Sequence, residues 1–266
     1  MPELPEVERA AVDLRAWCAG SVIERARVPE PRILLEGTTA RGLSRALAGR
    51  RVEAVERRGK QLLVALDGGT GLSLHLGMSG KIICFDSKDE LPRFARLVLE
   101  LGSRRVALRD PRVLARASVG PLDALRAKLA RLGPDALDVK DAASLRACLG
   151  GKPRAIKIAL MDQKRLAGIG NIQATEALWL ARLSPYRPAT ELEPAEWRRL
   201  ARAVQESLSR TLAQTLNGKL DYLSEGAKNL FHVYGRKGEP CPRCEAALVA
   251  GAIEQRTTVY CARCQT

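Results

Sequence analysis

Two groups of residues have the types and spacing for chemistry, and they lie at opposite ends of the chain. Directly after Met1 come Pro2 and Glu3. A small penultimate residue favours removal of the initiator methionine, which would leave Pro2 as an N-terminal secondary amine. An α-amino group titrates near pH 7.8, so about one in seven is neutral at pH 7, against about one in a few thousand for a lysine. The neutral amine attacks electrophilic carbon. A secondary amine then yields an iminium, which stays cationic without protonation and serves as an electron sink. Glu3 stands beside it as a candidate proton shuttle. Taken alone, Pro2 and Glu3 read equally well as the start of a helix, so the remaining sequence decides.

At the other end, Cys241-Pro242-Arg243-Cys244 and Cys261-Ala262-Arg263-Cys264 form two close pairs. Their separation falls in the range of zinc ribbons, where four thiolates close a tetrahedral structural site with no open position for catalysis. Cys18, Cys84 and Cys148 are scattered singly, and an odd total of 7 with this clustering points to metal in a reducing compartment, not to disulfides.

The 266 residues carry 44 Lys and Arg against 30 Asp and Glu, a net charge of +14 that favours an anionic partner, nucleic acid first. With deoxyribose as the electrophile, attack of the Pro2 amine at C1′ would displace a base and open the sugar. The iminium would then permit β-elimination of the 3′ phosphate, with Glu3 moving protons at the ring oxygen and C2′. No apolar run is long enough to cross a bilayer, and Glu3, Glu6 and Glu8 replace the basic start of a secretory leader. The protein is expected in the cytoplasm, associated with the nucleoid.

The elements that position these groups change character along the chain. Pro5 opens a helix on which Val7, Ala10, Ala11, Leu14, Trp17 and Cys18 recur at helical spacing until Gly20. Strand patterns follow at 51–57, 61–66, 72–76, 94–101 and 104–109, separated by turns such as Asp67-Gly68-Gly69 and Gly102-Ser103. They predict a β-sandwich or barrel. Beyond Leu132-Gly133-Pro134 the period is helical to about residue 216, as in Trp197, Leu200, Ala201, Val204, Leu208 and Leu212 after Pro194. The fold class is therefore α+β in two domains. The N-terminal β-sandwich has a leading helix, and the C-terminal helical domain ends in a four-cysteine zinc-finger hairpin. The expected division is 1–131, 132–232 and 233–266.

The run Met1-Pro2-Glu3-Leu4-Pro5-Glu6-Val7-Glu8 resembles the N-terminal signature of the formamidopyrimidine-DNA glycosylases, and Leu4 separates it from the endonuclease VIII branch, which usually has Gly there. Four further motifs carry the resemblance. They are Arg57-Arg58-Gly59-Lys60, His75-Leu76-Gly77-Met78-Ser79-Gly80 with Asp110-Pro111-Arg112-Val113-Leu114, the helix-two-turn-helix from Ala155 to Glu176, and the zinc-finger hairpin around Gln255-Arg256-Thr257.

The resemblance implies Pro2 as nucleophile and Glu3 as acid/base, with Lys60 and Arg256 completing the catalytic set through phosphates beside the lesion. Met78, Arg112 and Leu114 are the expected fillers of the void left by an extruded base, Arg112 facing the orphaned partner. Leu114 stands where the family commonly has Phe. Lys157, Gly168 and Asn171 are expected DNA-binding residues, the last two through free N–H groups and the dipole at a helix N-terminus. Gln173 replaces a usual tyrosine. Glu6 and Glu176 match supporting acids, and Cys241, Cys244, Cys261 and Cys264 hold one structural zinc.

The whole implies a bifunctional glycosylase and AP lyase of base excision repair, acting as a monomer on double-stranded DNA that contains a damaged base or an abasic site. Oxidised purines, formamidopyrimidines and 8-oxoguanine, are its expected substrates, removed through a Schiff base and β,δ-elimination. The shortness of residues 217–231, where the family carries a loop over flipped 8-oxoguanine, favours formamidopyrimidines. The alternatives are an endonuclease VIII-like enzyme for oxidised pyrimidines and a catalytically silent binder of damaged DNA.

Overall fold

A computed structural model describes residues 2–151, 153–218 and 229–266. Most of the lesion-loop reading at 217–231 therefore lies outside the described residues. The chain forms two compact units, one of Pro2 and Glu6–Arg131, the other of Glu3–Pro5 and Leu132–Thr266. Residues 233–266 stay with the helices of the second unit.

The first unit opens with α1 (Leu4–Cys18), whose Val7, Ala10, Ala11, Leu14 and Cys18 form the buried stripe expected of a helix laid on a core. Next come β1 (Arg25–Arg27), α2 (Ala40–Leu47), β2 (Val52–Arg58), β3 (Gln61–Leu66), β4 (Thr70–His75) and β5 (Lys81–Asp86). The unit closes with β6 (Ala95–Leu101), β7 (Arg104–Arg109), β8 (Arg116–Pro121) and α3 (Leu122–Leu129). Among the described residues the strands make two four-stranded antiparallel sheets, β1-β6-β7-β5 and β2-β3-β4-β8.

Alternating residues of both sheets fill one core: Leu62, Val64, Leu72 and Leu74 from the second, Leu97, Leu99, Val106 and Leu108 from the first. The uninterrupted apolar run of β3 has a separate cause. Its other face, Leu63 and Ala65, is covered by Leu122 and Leu125 of α3, so both sides of the strand are dry. The sequence pattern contained neither α3 nor α2, and it omitted β1, β5 and β8. Helices of 8 residues show barely two turns of periodicity, and α2 is held by a local device, the Thr39 hydroxyl accepting the Gly42 N–H at 3.0 Å.

The second unit contains α4 (Ala142–Leu149), α5 (Ile156–Met161), α6 (Asn171–Ala181), α7 (Pro194–Leu216) and the hairpin β9 (Val249–Ile253) and β10 (Arg256–Tyr260). The long α7 starts where Pro194 occupies its first turn and Glu193 and Glu196 form a reciprocal capping box. By contrast, α6 is buried nearly all round, from Ile172 to Trp179, and is the central rod of the unit. Its core partners include Leu145, Leu160, Trp197, Leu200, Leu208 and Leu4, which the second unit receives from the start of the chain.

Leu72→Ala, at a site fully buried between the sheets, is expected to destabilise the first unit by about 2–5 kcal/mol in urea unfolding. The exposed Val12→Ala should stay within about 0.5 kcal/mol, and equal effects would contradict the placement of the core.

Candidate active site and nucleic-acid interface

The arrangement at the start of α6 is built from the first residues of the chain. The preceding residue, Gly170, supplies no side-chain cap of its own. The buried carboxylate of Glu3 does so instead, accepting from Gly170 N at 3.0 Å, Ile172 N at 2.8 Å and Gln173 N at 3.0 Å. Leu4 N adds a backbone bond to Gly168 O at 3.2 Å. Two glycines make this approach possible. Gly168 has φ +110°, and a Cβ there would overlap Leu4, while a Cβ on Gly170 would overlap the Glu3 carboxylate itself. Gln163 completes the turn, its Oε1 accepting Gly168 N and its Nε2 donating to Met161 O and Ile169 O.

This corrects the expectation of free N–H groups for a phosphate at that terminus. Three of the N–H groups, and the favourable end of the dipole, belong to Glu3. The Asn171 side chain donates elsewhere, from Nδ2 to Thr257 O at 3.1 Å, and it also hydrogen-bonds the Tyr234 hydroxyl. Pro2, buried, precedes this cap directly in the chain.

Lys157 is wholly buried, an unusual state for lysine. Its ammonium is turned to the hairpin, donating to Thr257 O at 3.1 Å and Thr258 Oγ1 at 2.7 Å. Burial pulls its pKa down to about 8, helped by the charge of Arg256 and opposed by Glu3. Arg256, at the start of β10, is exposed. Asn171 and Lys157 thus converge on the one strand that carries Arg256.

Glu176, expected as a supporting acid, is 3% exposed and works as an organiser. It accepts from His232 N at 2.8 Å, Val233 N at 2.9 Å and Tyr234 N at 2.9 Å, with His232 Nδ1 at 3.0 Å. Burial raises its pKa, but these bonds outweigh that and hold it below the usual carboxylate range. Gln173 bridges α6 to α7, donating to Thr211 Oγ1 at 3.0 Å and accepting from Ser207 Oγ at 2.7 Å. The residue that departs from the family's tyrosine is therefore an interhelical tie, and its buried amide is satisfied at both ends.

In the first unit, Lys60 is half-buried in the Gly59-Lys60 turn between β2 and β3. Arg57 braces that turn, donating to Gly59 O at 3.1 Å while its guanidinium pairs with Glu8 of α1. Beside it, burial first and then the charges of Lys60 and Arg116 push the His75 pKa down. Its Nδ1 accepts from Gly77 N at 3.1 Å, so the neutral ring carries its proton on Nε2.

Met78 is 42% exposed, an unpacked apolar side chain at a turn, and Arg112 is exposed as well. One residue holds both turns. Asp110, fully buried, accepts from Ser79 Oγ and Arg112 N at 3.1 Å with one oxygen, and from Leu114 N at 2.6 Å and Ala115 N at 2.7 Å with the other. Its grip keeps Val113 at φ 56°, a conformation costly for a β-branched residue. Burial opposes the charge on Asp110, yet the Ser79 hydroxyl and the backbone N–H groups bring its pKa below the ordinary value. Sequence reasoning quoted Asp110 without giving it a task. The available signal was an aspartate ahead of Pro in a turn, a type that accepts N–H groups a few residues on.

The four cysteine sulfurs Cys241, Cys244, Cys261 and Cys264 lie within 4.8 Å of one another, with Cys244 and Cys261 at 3.5 Å. Four Zn–S bonds of about 2.3 Å in a tetrahedron need sulfur separations of about 3.8 Å, so the cluster fits zinc. Burial works against a thiolate at Cys241, but N–H donors from Arg243, Trp179 and Cys244 bring its pKa down to about 6, which suits a metal ligand.

A β-sandwich, a helix-two-turn-helix with its carboxylate cap and a four-cysteine hairpin define a class of zinc-finger DNA-repair proteins, and three family models describe it. Residues 1–117 match the formamidopyrimidine-DNA glycosylase N-terminal domain, 132–219 its H2TH domain, and 238–266 the zinc finger found in FPG and IleRS. The chain belongs to the formamidopyrimidine-DNA glycosylase family. It is 38% identical over 272 residues to the formamidopyrimidine-DNA glycosylase of Roseiflexus sp. (strain RS-1), covering 100% of both chains. It is also 38% identical to that of Thermus thermophilus, covering 100% of this chain and 98% of the relative. The Lactococcus lactis Fpg solved with DNA containing an abasic site superposes with a TM-score of 0.90 at 26% identity, with 100% of each chain covered. A MutM structure in complex with carbocyclic 8-oxo-G containing DNA has a TM-score of 0.90 at 28% identity, again over 100% of each chain. The four-cysteine cluster is the site of one structural zinc ion.

Gly170→Ala is expected to dislodge Glu3 and destabilise the second unit by about 1–3 kcal/mol in thermal or urea unfolding. Gly151→Ala, where a methyl meets nothing within 4 Å, should be nearly silent, and parity of the two would refute the cap.

Asp110→Asn should destabilise the first unit by about 1–3 kcal/mol at pH 7, since an amide cannot satisfy the same set of donors. The folded pKa of Asp110 is depressed, so the carboxylate's contribution is present above the unfolded value near 3.9 and lost as pH falls through the folded one. Urea titrations at pH 7 and pH 3 should show the gap between wild type and variant shrinking in acid. A gap independent of pH would count against a charged Asp110.

Proposed function

We propose that the protein is a bifunctional DNA glycosylase and AP lyase of base excision repair, acting on oxidised purines in duplex DNA. The observation that carries this reading is the fixed position of Glu3, locked by three N–H groups at the head of α6 with Pro2 directly before it, in a chain of this family.

With Met1 removed, the Pro2 nitrogen attacks C1′, the C1′–N bond to the damaged base breaks, and the base leaves with a proton. Opening of the sugar gives an iminium between Pro2 and C1′. Loss of a C2′ proton then expels the 3′ phosphate, a second elimination expels the 5′ phosphate, and hydrolysis frees Pro2. Glu3 moves the protons at the ring oxygen and C2′, and its preorganised hydrogen bonds spare it reorientation during the reaction.

Lys60 and Arg256 contact phosphates beside the lesion. Asn171 adds its amide, while Lys157 contributes by holding the Arg256 strand. The exposed Met78, together with Arg112 and Leu114, fills the gap left by the extruded nucleotide, which recovers part of the unstacking cost. Glu6 supports the site from the first turn of α1. Zinc is structural, and its thiolate ligands hold the hairpin. Formamidopyrimidines are the leading substrates, followed by 8-oxoguanine, and the site of action is the cytoplasmic nucleoid. Among the described residues no helix is long and apolar enough to cross a membrane.

Borohydride trapping on duplexes with an abasic site, 8-oxoguanine opposite cytosine, or a formamidopyrimidine tests the reading, with mass spectrometry of the mature N-terminus. Wild type should form a covalent adduct that Pro2→Gly loses in large part. A processed, zinc-loaded protein that binds these duplexes and traps none would leave a silent binder of damaged DNA in place of the enzyme.

A further inference from the structure

Trp179 lies on α6, more than two turns beyond Asn171, and is 4% exposed. Its indole N–H is completely covered, yet it finds no oxygen or nitrogen acceptor. Buried indole donors normally have a partner. The partner here is sulfur, the thiol of Cys241. Trp179 packs in the same cluster as Cys241, Cys261, Leu248 and Val259, and its ring is clasped from both faces. On one side the Arg243 guanidinium, from within the first cysteine pair, stands 3.8 Å from the ring centroid. On the other the His232 ring stacks at 4.6 Å with an interplanar angle of 22°. Arg243 also donates to the carbonyls of Trp179 and, at 3.1 Å, of Leu180.

We infer that Trp179 is an outer-sphere ligand of the zinc centre, its indole N–H donating to the Cys241 sulfur and so tying helix α6 to the metal. Four thiolates around one Zn²⁺ leave an excess of two negative charges, which a nearby N–H dipole and the Arg243 cation stabilise. The orientation of the donor is enforced by the clasp, because a ring held on both faces cannot turn its N–H away. His232 belongs to the segment pinned by Glu176, and the same helix carries Asn171 at its start and Trp179 near its end. Zinc therefore stabilises the hairpin and also the end of the helix opposite the Glu3 cap.

Trp179→Phe keeps an aromatic ring for Arg243 and His232 and deletes only the donor. Competition of zinc-loaded protein against a chromogenic chelator should show zinc affinity reduced about 10–100-fold, the range for loss of an outer-sphere partner. In wild type, chelation should alter tryptophan fluorescence, and Trp179→Phe, which retains Trp17 and Trp197, should lose that response. A second measurement needs no variant. In protein reconstituted with ¹¹³Cd, the indole proton of Trp179 should show scalar coupling to the metal through the N–H···S bond. Wild-type zinc affinity in Trp179→Phe, or an indole proton without coupling to cadmium, would overturn the inference and reduce Trp179 to packing. These readouts do not depend on activity, so they stand apart from any failure of the glycosylase reading.

Discussion

The bond set between Glu3 and the first turn of α6 is the constraint on which the second unit depends. A helix buried nearly all round cannot leave its N-terminal N–H groups to water, and Gly170 brings no side chain to satisfy them. The carboxylate of a residue about 170 positions away does it, so the start of the chain is fastened into the helical core along with Leu4. Charge and dipole have the favourable sign. Burial of the carboxylate is offset by three donors at or below 3.0 Å, and the two glycines keep the space that the approach requires. A catalytic acid at that position is held by the same bonds that complete the fold.

The same device recurs, among the described residues, at Asp110 and Glu176. Each is a buried carboxylate that gathers backbone N–H groups from a short irregular segment, 112–115 for Asp110 and 232–234 for Glu176. Loops cannot satisfy their own backbone as helices and strands do, so an internal acceptor makes an irregular segment rigid. The cost is backbone strain such as that at Val113. The gain is definition in turns that bear exposed side chains, Met78 and Arg112, which have no packing of their own to position them.

Hairpin and helices are joined by polar contacts as well as by apolar burial. Lys157 gives up exposure, and much of its basicity, to bind Thr257 and Thr258, and Asn171 reaches the same carbonyl. Trp179, clasped by Arg243 and His232, makes the corresponding connection at the far end of α6. A lysine that would serve as a surface contact in isolation becomes a strut once a strand is laid across it.

Much of this protein is legible from the chain alone, because the relevant physics is local. The stripe of α1, the alternation of β4, the period of α7 after Pro194 and the spacing of the cysteine pairs are short-range patterns. Pro2-Glu3, the Lys60 turn and the glycines at 168 and 170 are marked by residue type in sequence context. What only tertiary structure decided is which polar groups meet. The α6 terminus, read as an open anion site, is closed by Glu3; Lys157 and Glu176 turn inward; Gln173 ties two helices; and α3 explains why β3 is apolar on both faces. Each of these depends on a partner tens to more than a hundred residues away. Periodicity reports which face of an element is dry, but a hydrogen bond depends on a few ångströms of placement, and that placement exists only once the chain has folded.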